Sequence, residues 1–286
     1  MKKELDDRPS VEAARYWVEA MDAGIGFVEG AFEHPVEDAC EPLLDIPTAA
    51  REAGVEVEFS TTPHAGGRPR LHLARAAVVP RLLSAAAELR ETGHTLVIED
   101  AFRTYEMQRD LALTGGVTEK VASAVRLAEP DVPFEVMMSR LSVIVQTRPR
   151  GAGHMAGAAV DVSVRGPDGV ILDRGGPYIT VSEVTPMDSP YVSQTALQNR
   201  RFVTTAMKRH GFEPFPFEFW HYSCDDIFAR RVAGDPTPAL YGPVAVGPDG
   251  STTPISEQLE PMHSAAQLQL LVTQALEAAP PSGRAD

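Results

Sequence analysis

The apolar positions of this chain repeat with helical and strand periods that change along its length. In residues 11–21, Val11, Ala14, Trp17, Val18 and Met21 recur at helical spacing. Ser10 stands at the N-cap position, and Glu12 places a carboxylate in the first turn. An acidic stretch with two prolines follows (EHPVEDACEP), and within residues 43–59 the segment VEVEF alternates like a strand. Residues 61–70 (TTPHAGGRPR) are dense in turn formers and predict a loop. Next, Pro80 suits a first helical position, Leu82, Leu83, Ala86 and Leu89 share one face, and Gly93 suits the C-terminal cap. TLVIED then predicts a short strand, followed by a helix starting near Thr104 and another over residues 118–128, ending before Pro130.

The pattern then changes. AAVDVSV, a turn at RGPDG and VIL predict a hairpin. Residues 193–211 predict a helix with Leu197, Val203 and Met207 inward and Gly211 ending it. FEPFPFEFWHYS is extended, with its prolines limiting ladder pairing. A Pro-rich stretch from Pro236 leads to an amphipathic helix in MHSAAQLQLLVTQALEA and a frayed tail, PPSGRAD. Helices and strands segregate rather than alternate, which favours an α+β fold. The simplest division is a helical N-terminal extension (1–41), one central domain (42–244) and a C-terminal extension (245–286). The last helix could serve homodimerisation or pack on its own domain.

Composition narrows the partners. A chain of 286 residues can bury a core without staples, and 43% hydrophobic with 23% charged residues is globular rather than disordered. With 26 Lys and Arg against 40 Asp and Glu, the net charge of −14 argues against nucleic acid or an anionic membrane. Cys40 and Cys224 cannot build a disulfide framework and suit a reducing compartment. MKKELDDRPS has no apolar stretch behind it that would make a signal peptide, and no run is long enough for a membrane span. A cytoplasmic protein is expected.

Most of the eight histidines suit turns, surfaces or helix ends; His94 and His210 are examples. His154 and His221 differ in their neighbours. The first lies in GAGHMAGAAVDVSV, seven residues before Asp161, with Gly153 and Gly157 permitting a tight path. The second lies in FEFWHYS, three residues after Glu218. Two imidazoles and a carboxylate are the protein ligands of a catalytic zinc, whose fourth position takes water. Glu218 is then placed to act as general base on that water rather than as a ligand. Each motif alone occurs by chance, and Asp161 alone would serve to cap a turn. Together they supply three ligands and a base. Cys224 as a fourth ligand would close the site. In IEDAFRTYEM, Arg103 follows a strand end and could stabilise an oxyanion, with Asp100 pairing its guanidinium in bidentate fashion.

These motifs, D-x-x-R (Asp100, Arg103), H-x-x-G-x-A-x-D (His154, Gly157, Ala159, Asp161) and E-x-W-H (Glu218, Trp220, His221), occur in the order seen in D-alanyl-D-alanine dipeptidases. The likeness runs from about Pro42 to LYGPV at residues 240–244. The resemblance implies zinc at His154, Asp161 and His221, acid/base duty for Glu218 and transition-state assistance from Arg103. It also implies an antiparallel sheet with flanking helices, the fold shared with Hedgehog-type and DD-peptidase domains.

The departures concern recognition. The family usually has Ser where this chain has Ala152, and G-x-P-F-D where it has Gly175-Gly176-Pro177-Tyr178-Ile179. Ile179 cannot take the dipeptide's ammonium as the family's Asp does, and TTPHAGGRPR replaces the family's substrate loop. Glu183 or Asp188 could take over the ammonium, though no motif assigns either. The expected activity is zinc-dependent hydrolysis of an amide in a dipeptide or small peptide, modified or N-blocked, by metal-bound water activated by Glu218. The alternatives are a non-catalytic zinc-binding recognition module, and a two-His, one-carboxylate Fe(II) oxygenase.

Overall fold

The structure is a computed structural model and describes residues 10–114, 116–247, 251–255 and 260–278. The start MKKELDDRP and the tail PPSGRAD lie outside the described residues. Helix α1 (Val11–Phe32) begins where the Ser10 hydroxyl accepts the Ala13 N–H at 3.1 Å. It runs well beyond Met21, because Gly24, Val28 and Ala31 continue the stripe of Trp17 and Met21. Gly24 is needed there: a Cβ would lie 2.6 Å from Val143 Cγ1.

Strand β1 (Leu43–Asp45) hands directly into α2 (Ile46–Ala53), a helix the apolar pattern did not announce. Its signals are the cap and stop, with Asp45 Oδ1 accepting the Thr48 N–H at 2.8 Å and Gly54 at φ 66° ending it. Then come β2 (Val57–Phe59), β3 (Leu73–Arg75) and α3 (Val78–Glu91), which starts two residues before Pro80 and buries Leu82, Leu83, Ala86 and Leu89. Strand β4 (Thr95–Asp100) is followed by α4 (Tyr105–Thr114), α5 (Val117–Ala128) and α6 (Phe134–Ile144). Short α7 (Gly153–Ala156) precedes β5 (Ala159–Arg165). The hairpin beyond β5 turns at Gly169, φ 79°, and its return arm makes only a bridge, Arg165 to Ile171.

Helix α8 (Gln194–Arg209) leads to β6 (Glu213–Pro214) and β7 (His221–Ser223), separated by a turn where continuous extension was expected. Pro214 and Pro216 deny the ladder two N–H donors, which accounts for the short pairing. After α9 (Ile227–Ala233), the hairpin β8 (Val244–Val246) and β9 (Thr252–Pro254) precedes α10 (Ala265–Ala278).

The main sheet has five strands in the order β2-β4-β5-β7-β6, antiparallel except for the parallel pair β2 and β4. The fold is therefore α+β, with one parallel edge pair. Val160, Val162 and Val164 point to a core shared with Leu82, Leu89, Val203 and Met207 of α3 and α8. A second core joins α1, α5, α6 and α10 through Trp17, Met21, Val121, Leu141 and Val272. Helix α10 thus lays part of its apolar face on α5 of the same chain.

Arg75 is fully buried and ties distant segments together. Its Nε donates to Ala156 O at 2.7 Å, its Nη1 to Glu41 O at 2.9 Å and its Nη2 to Asp38 Oδ2 at 2.7 Å and Gly242 O at 3.1 Å. Arg75→Ala leaves the Asp38 carboxylate buried without its partner, and an expected loss of about 3–5 kcal/mol in unfolding free energy follows. Chemical denaturation checks this; a change below about 1 kcal/mol would show the pair to be worth no more than a surface one.

Candidate active site

Register builds most of the site. Asp100 pairs with Asp161 across β4 and β5, and Asp161 pairs with His221 across β5 and β7. Residues directly opposite one another share a sheet face, so all three side chains emerge on the side away from the valine core. Strand alternation sends Tyr222 and Cys224 to the other face, where both join that core. The Cys224 thiol lies 3.2 Å from Arg81 Nη1, and it is not a fourth ligand.

His154 arrives from α7. That turn needs its glycines: a Cβ on Gly157, at φ 67°, would meet Leu43 Cδ2 at 2.5 Å, and one on Gly153 would meet Asp226 Oδ2 at 2.7 Å. His154 Nδ1–H donates to Ala101 O at 2.5 Å, so Nε2 faces Asp161 Oδ1 at 3.3 Å. His221 uses the opposite nitrogens: Nε2 meets Ser223 Oγ at 3.2 Å and Nδ1 faces Asp161 Oδ1 at 3.0 Å. One ligand atom from each of His154, Asp161 and His221 lies within 4.8 Å of the others, and all three residues are buried. Each imidazole has its remote nitrogen engaged, which fixes the ring and leaves a lone pair directed inward. This donor set fits zinc.

The outer oxygen of Asp161 is also held: Oδ2 accepts from Tyr178 Oη at 2.8 Å and from Arg103 Nη2 at 3.3 Å. Burial alone would raise the Asp161 pKa, but His154 and His221 hold it well below the ordinary carboxylate value. Tyr178 is driven well above 10 by burial and by Asp161, so it remains a donor. Arg103 is braced by Asp100 Oδ2 at 2.8 Å from Nε and by Gln108 Oε1 at 3.2 Å from Nη1. The Asp100 contact is single rather than bidentate: Oδ1 accepts the Ala101 N–H at 3.1 Å, Arg103 Nη2 is directed to Asp161, and Arg70 Nη1 also lies 3.0 Å from Oδ2.

Glu218 Oε2 lies 3.9 Å from His221 Nδ1. Burial and the charge of Asp161 push its pKa well above the usual carboxylate range. Glu218 therefore has a high proton affinity beside the metal-ligand cluster, as a general base requires.

These groups open on a cavity of about 400 Å³ between the sheet face and the helical layer. Ala152 and Ile179 line it, with Ile179 at φ 63°. Leu111, Val117, Val143 and Val181 form an apolar wall. Glu183 and Asp188 are not among the lining residues. The loop 61–70 contributes His64 and Arg70, which sequence reasoning passed over; the signal was their position in a loop that departs from the resembled family.

A buried two-His, one-carboxylate cluster, with a carboxyl group and a guanidinium beside it, thus lies at the floor of the cavity, a donor set a metallopeptidase would use. The family profile described as D-Ala-D-Ala dipeptidase, peptidase M15, matches residues 57–233. The chain belongs to this family, and its cofactor is zinc. Family membership sets aside the Fe(II) oxygenase alternative. A D-alanyl-D-alanine dipeptidase of Escherichia coli (strain K12) is 24% identical over 205 residues, covering 70% of this chain and 94% of the relative. Among solved structures, a zinc-bound variant of the vancomycin-resistance D,D-pentapeptidase VanY is 16% identical, with a TM-score of 0.33, covering 71% of this chain and 94% of that one. No helix among the described residues is long and apolar enough to cross a membrane.

Proposed function

We propose that this chain hydrolyses an amide bond in a small peptide whose amino end is blocked or modified, with Glu218 as the general base and zinc held by His154, Asp161 and His221. The observation that carries the reaction is the convergence of those three ligand atoms beside Glu218. Zinc bound there supplies a Lewis acid that polarises a carbonyl and lowers the pKa of water. Glu218 takes a proton from the attacking water as the new C–O bond forms, then passes it to the leaving nitrogen as the C–N bond breaks. Arg103 stabilises the negative charge that develops on the carbonyl oxygen. Tyr178 steadies Asp161 through its hydrogen bond to Oδ2.

Substrate choice follows from the lining. Among the described residues, the carboxylates that line the cavity are Asp100, Asp161 and Glu218. Asp100 serves Arg70 and Arg103, Asp161 belongs to the ligand set, and Glu218 is the base. None is left for an ammonium, and Ile179 offers a hydrocarbon instead; a charge buried there without a partner would be costly. Both cysteines are free thiols, Cys40 exposed and Cys224 buried, which supports a cytoplasmic setting.

Assays of the zinc-loaded protein on D-Ala-D-Ala and on N-acyl dipeptides test this. Faster turnover of the acylated set is expected. Efficient hydrolysis of free D-Ala-D-Ala would overturn the altered specificity, and silence across both sets would favour the recognition module.

A further inference from the structure

Beside the catalytic groups lie two buried cationic or neutral donors without work in the reaction as described. His64 is 4% exposed, lines the cavity, and neither ring nitrogen has a hydrogen-bond partner. Arg70 has a side chain 6% exposed, also lines the cavity, and its Nη1 likewise has no aligned acceptor. A buried donor without an acceptor is costly; His64 has none, and Arg70 must share its Asp100 oxygen with Arg103, so both fit an acceptor that arrives with a ligand.

The loop places the pair deliberately. Gly66 and Gly67, at φ 74° and 73°, turn the chain back, and the His64 N–H donates to Arg68 O at 2.8 Å. Arg70 is held by Nε donating to Thr62 O at 2.8 Å and by the Tyr178 ring, whose centroid is 5.7 Å away. His64 Nε2 and Arg70 Nη1 both approach Asp100 Oδ2, at 3.7 and 3.0 Å. That single oxygen also receives Arg103 Nε, so it cannot satisfy all three groups. Two guanidiniums and an imidazole thus share one carboxylate at the cavity wall.

We propose that His64 and Arg70 form a subsite for a carboxylate of the substrate. Resting on the peptidase reading above, this names the substrate class further: a peptide blocked at its amino end and anionic elsewhere. Arg70 supplies the charge and the N–H groups that a carboxylate accepts, and His64 donates one N–H. The carboxylate comes either from the C-terminus or from an acidic side chain.

The test compares N-acyl dipeptides as C-terminal acids and C-terminal amides, and Glu-containing with Gln-containing peptides, on the zinc enzyme. A preference for one acid form over its neutral twin is expected, and the pair that shows it identifies the source. In Arg70→Met and His64→Leu the acid-to-neutral ratio of kcat/KM should fall by about 10- to 100-fold, the size of lost hydrogen bonds to a charged group. Arg70→Lys and His64→Gln read the same ratio if the larger changes prevent folding. Calorimetric binding of an N-acyl amino acid and its amide to zinc-loaded Glu218→Gln protein reads the subsite without turnover, so failure of the peptidase reading leaves it testable. Equal handling of acid and neutral ligands by the unaltered protein would overturn the proposal. So would variants that lower both ligands alike, which would make the pair structural.

Discussion

Glu218→Gln protein should keep its zinc and its fold yet hydrolyse peptide about 10²- to 10⁴-fold more slowly, the range for loss of a positioned general base. The amide has nearly the shape of the carboxyl, so packing around residue 218 survives. What disappears is a proton acceptor whose affinity is raised by burial and by the charge of Asp161. Metal analysis alongside turnover decides the role. Zinc retained with activity lost fits the base. Zinc lost in the same variant would make Glu218 a ligand, and the open position for water would have to be found elsewhere.

Arg103→Met should lower kcat by about 10²- to 10³-fold, comparable to removal of one oxyanion donor. The guanidinium is buried and held by Asp100, Gln108 and Asp161, so it needs no reordering when charge develops nearby. Burial opposes its charge, yet Asp100 and Asp161 more than offset this and keep it protonated. KM should move much less than kcat, because the ground-state carbonyl is a weak acceptor. A variant that raises KM at unchanged kcat would instead make Arg103 a ground-state binding group. Arg103→Lys keeps the charge without the fork, and partial activity there would separate charge from geometry.

Each motif of the candidate site was legible in the sequence because its own residues sit at short spacings on strands and turns. Asp161 and His221 lie in separate motifs, and only register makes them neighbours. Recognition was less legible. His64 and Arg70 gain meaning only when the loop folds against Asp100, some thirty residues on in the sequence. In helix α6, left unassigned from the sequence, Phe134, Met137, Met138, Leu141 and Ile144 fall at helical spacing on one face and pack on the second core. Helix α1 was cut short at Met21 because glycines in its second half resemble breakers until Val143 is seen against Gly24.

The division between the sheet floor and the walls of the cavity has an evolutionary consequence. Asp100, Asp161 and His221 are bound to strand register, where a slip of one position turns every side chain to the other face. The other residues that line the cavity sit on the loop 61–70, at Ile179 and along helices that cross above the sheet. Drift at those positions changes the ligand while the reaction persists. Selection for new peptides should therefore accumulate substitutions in the walls, and leave Asp100, Asp161 and His221 in their row.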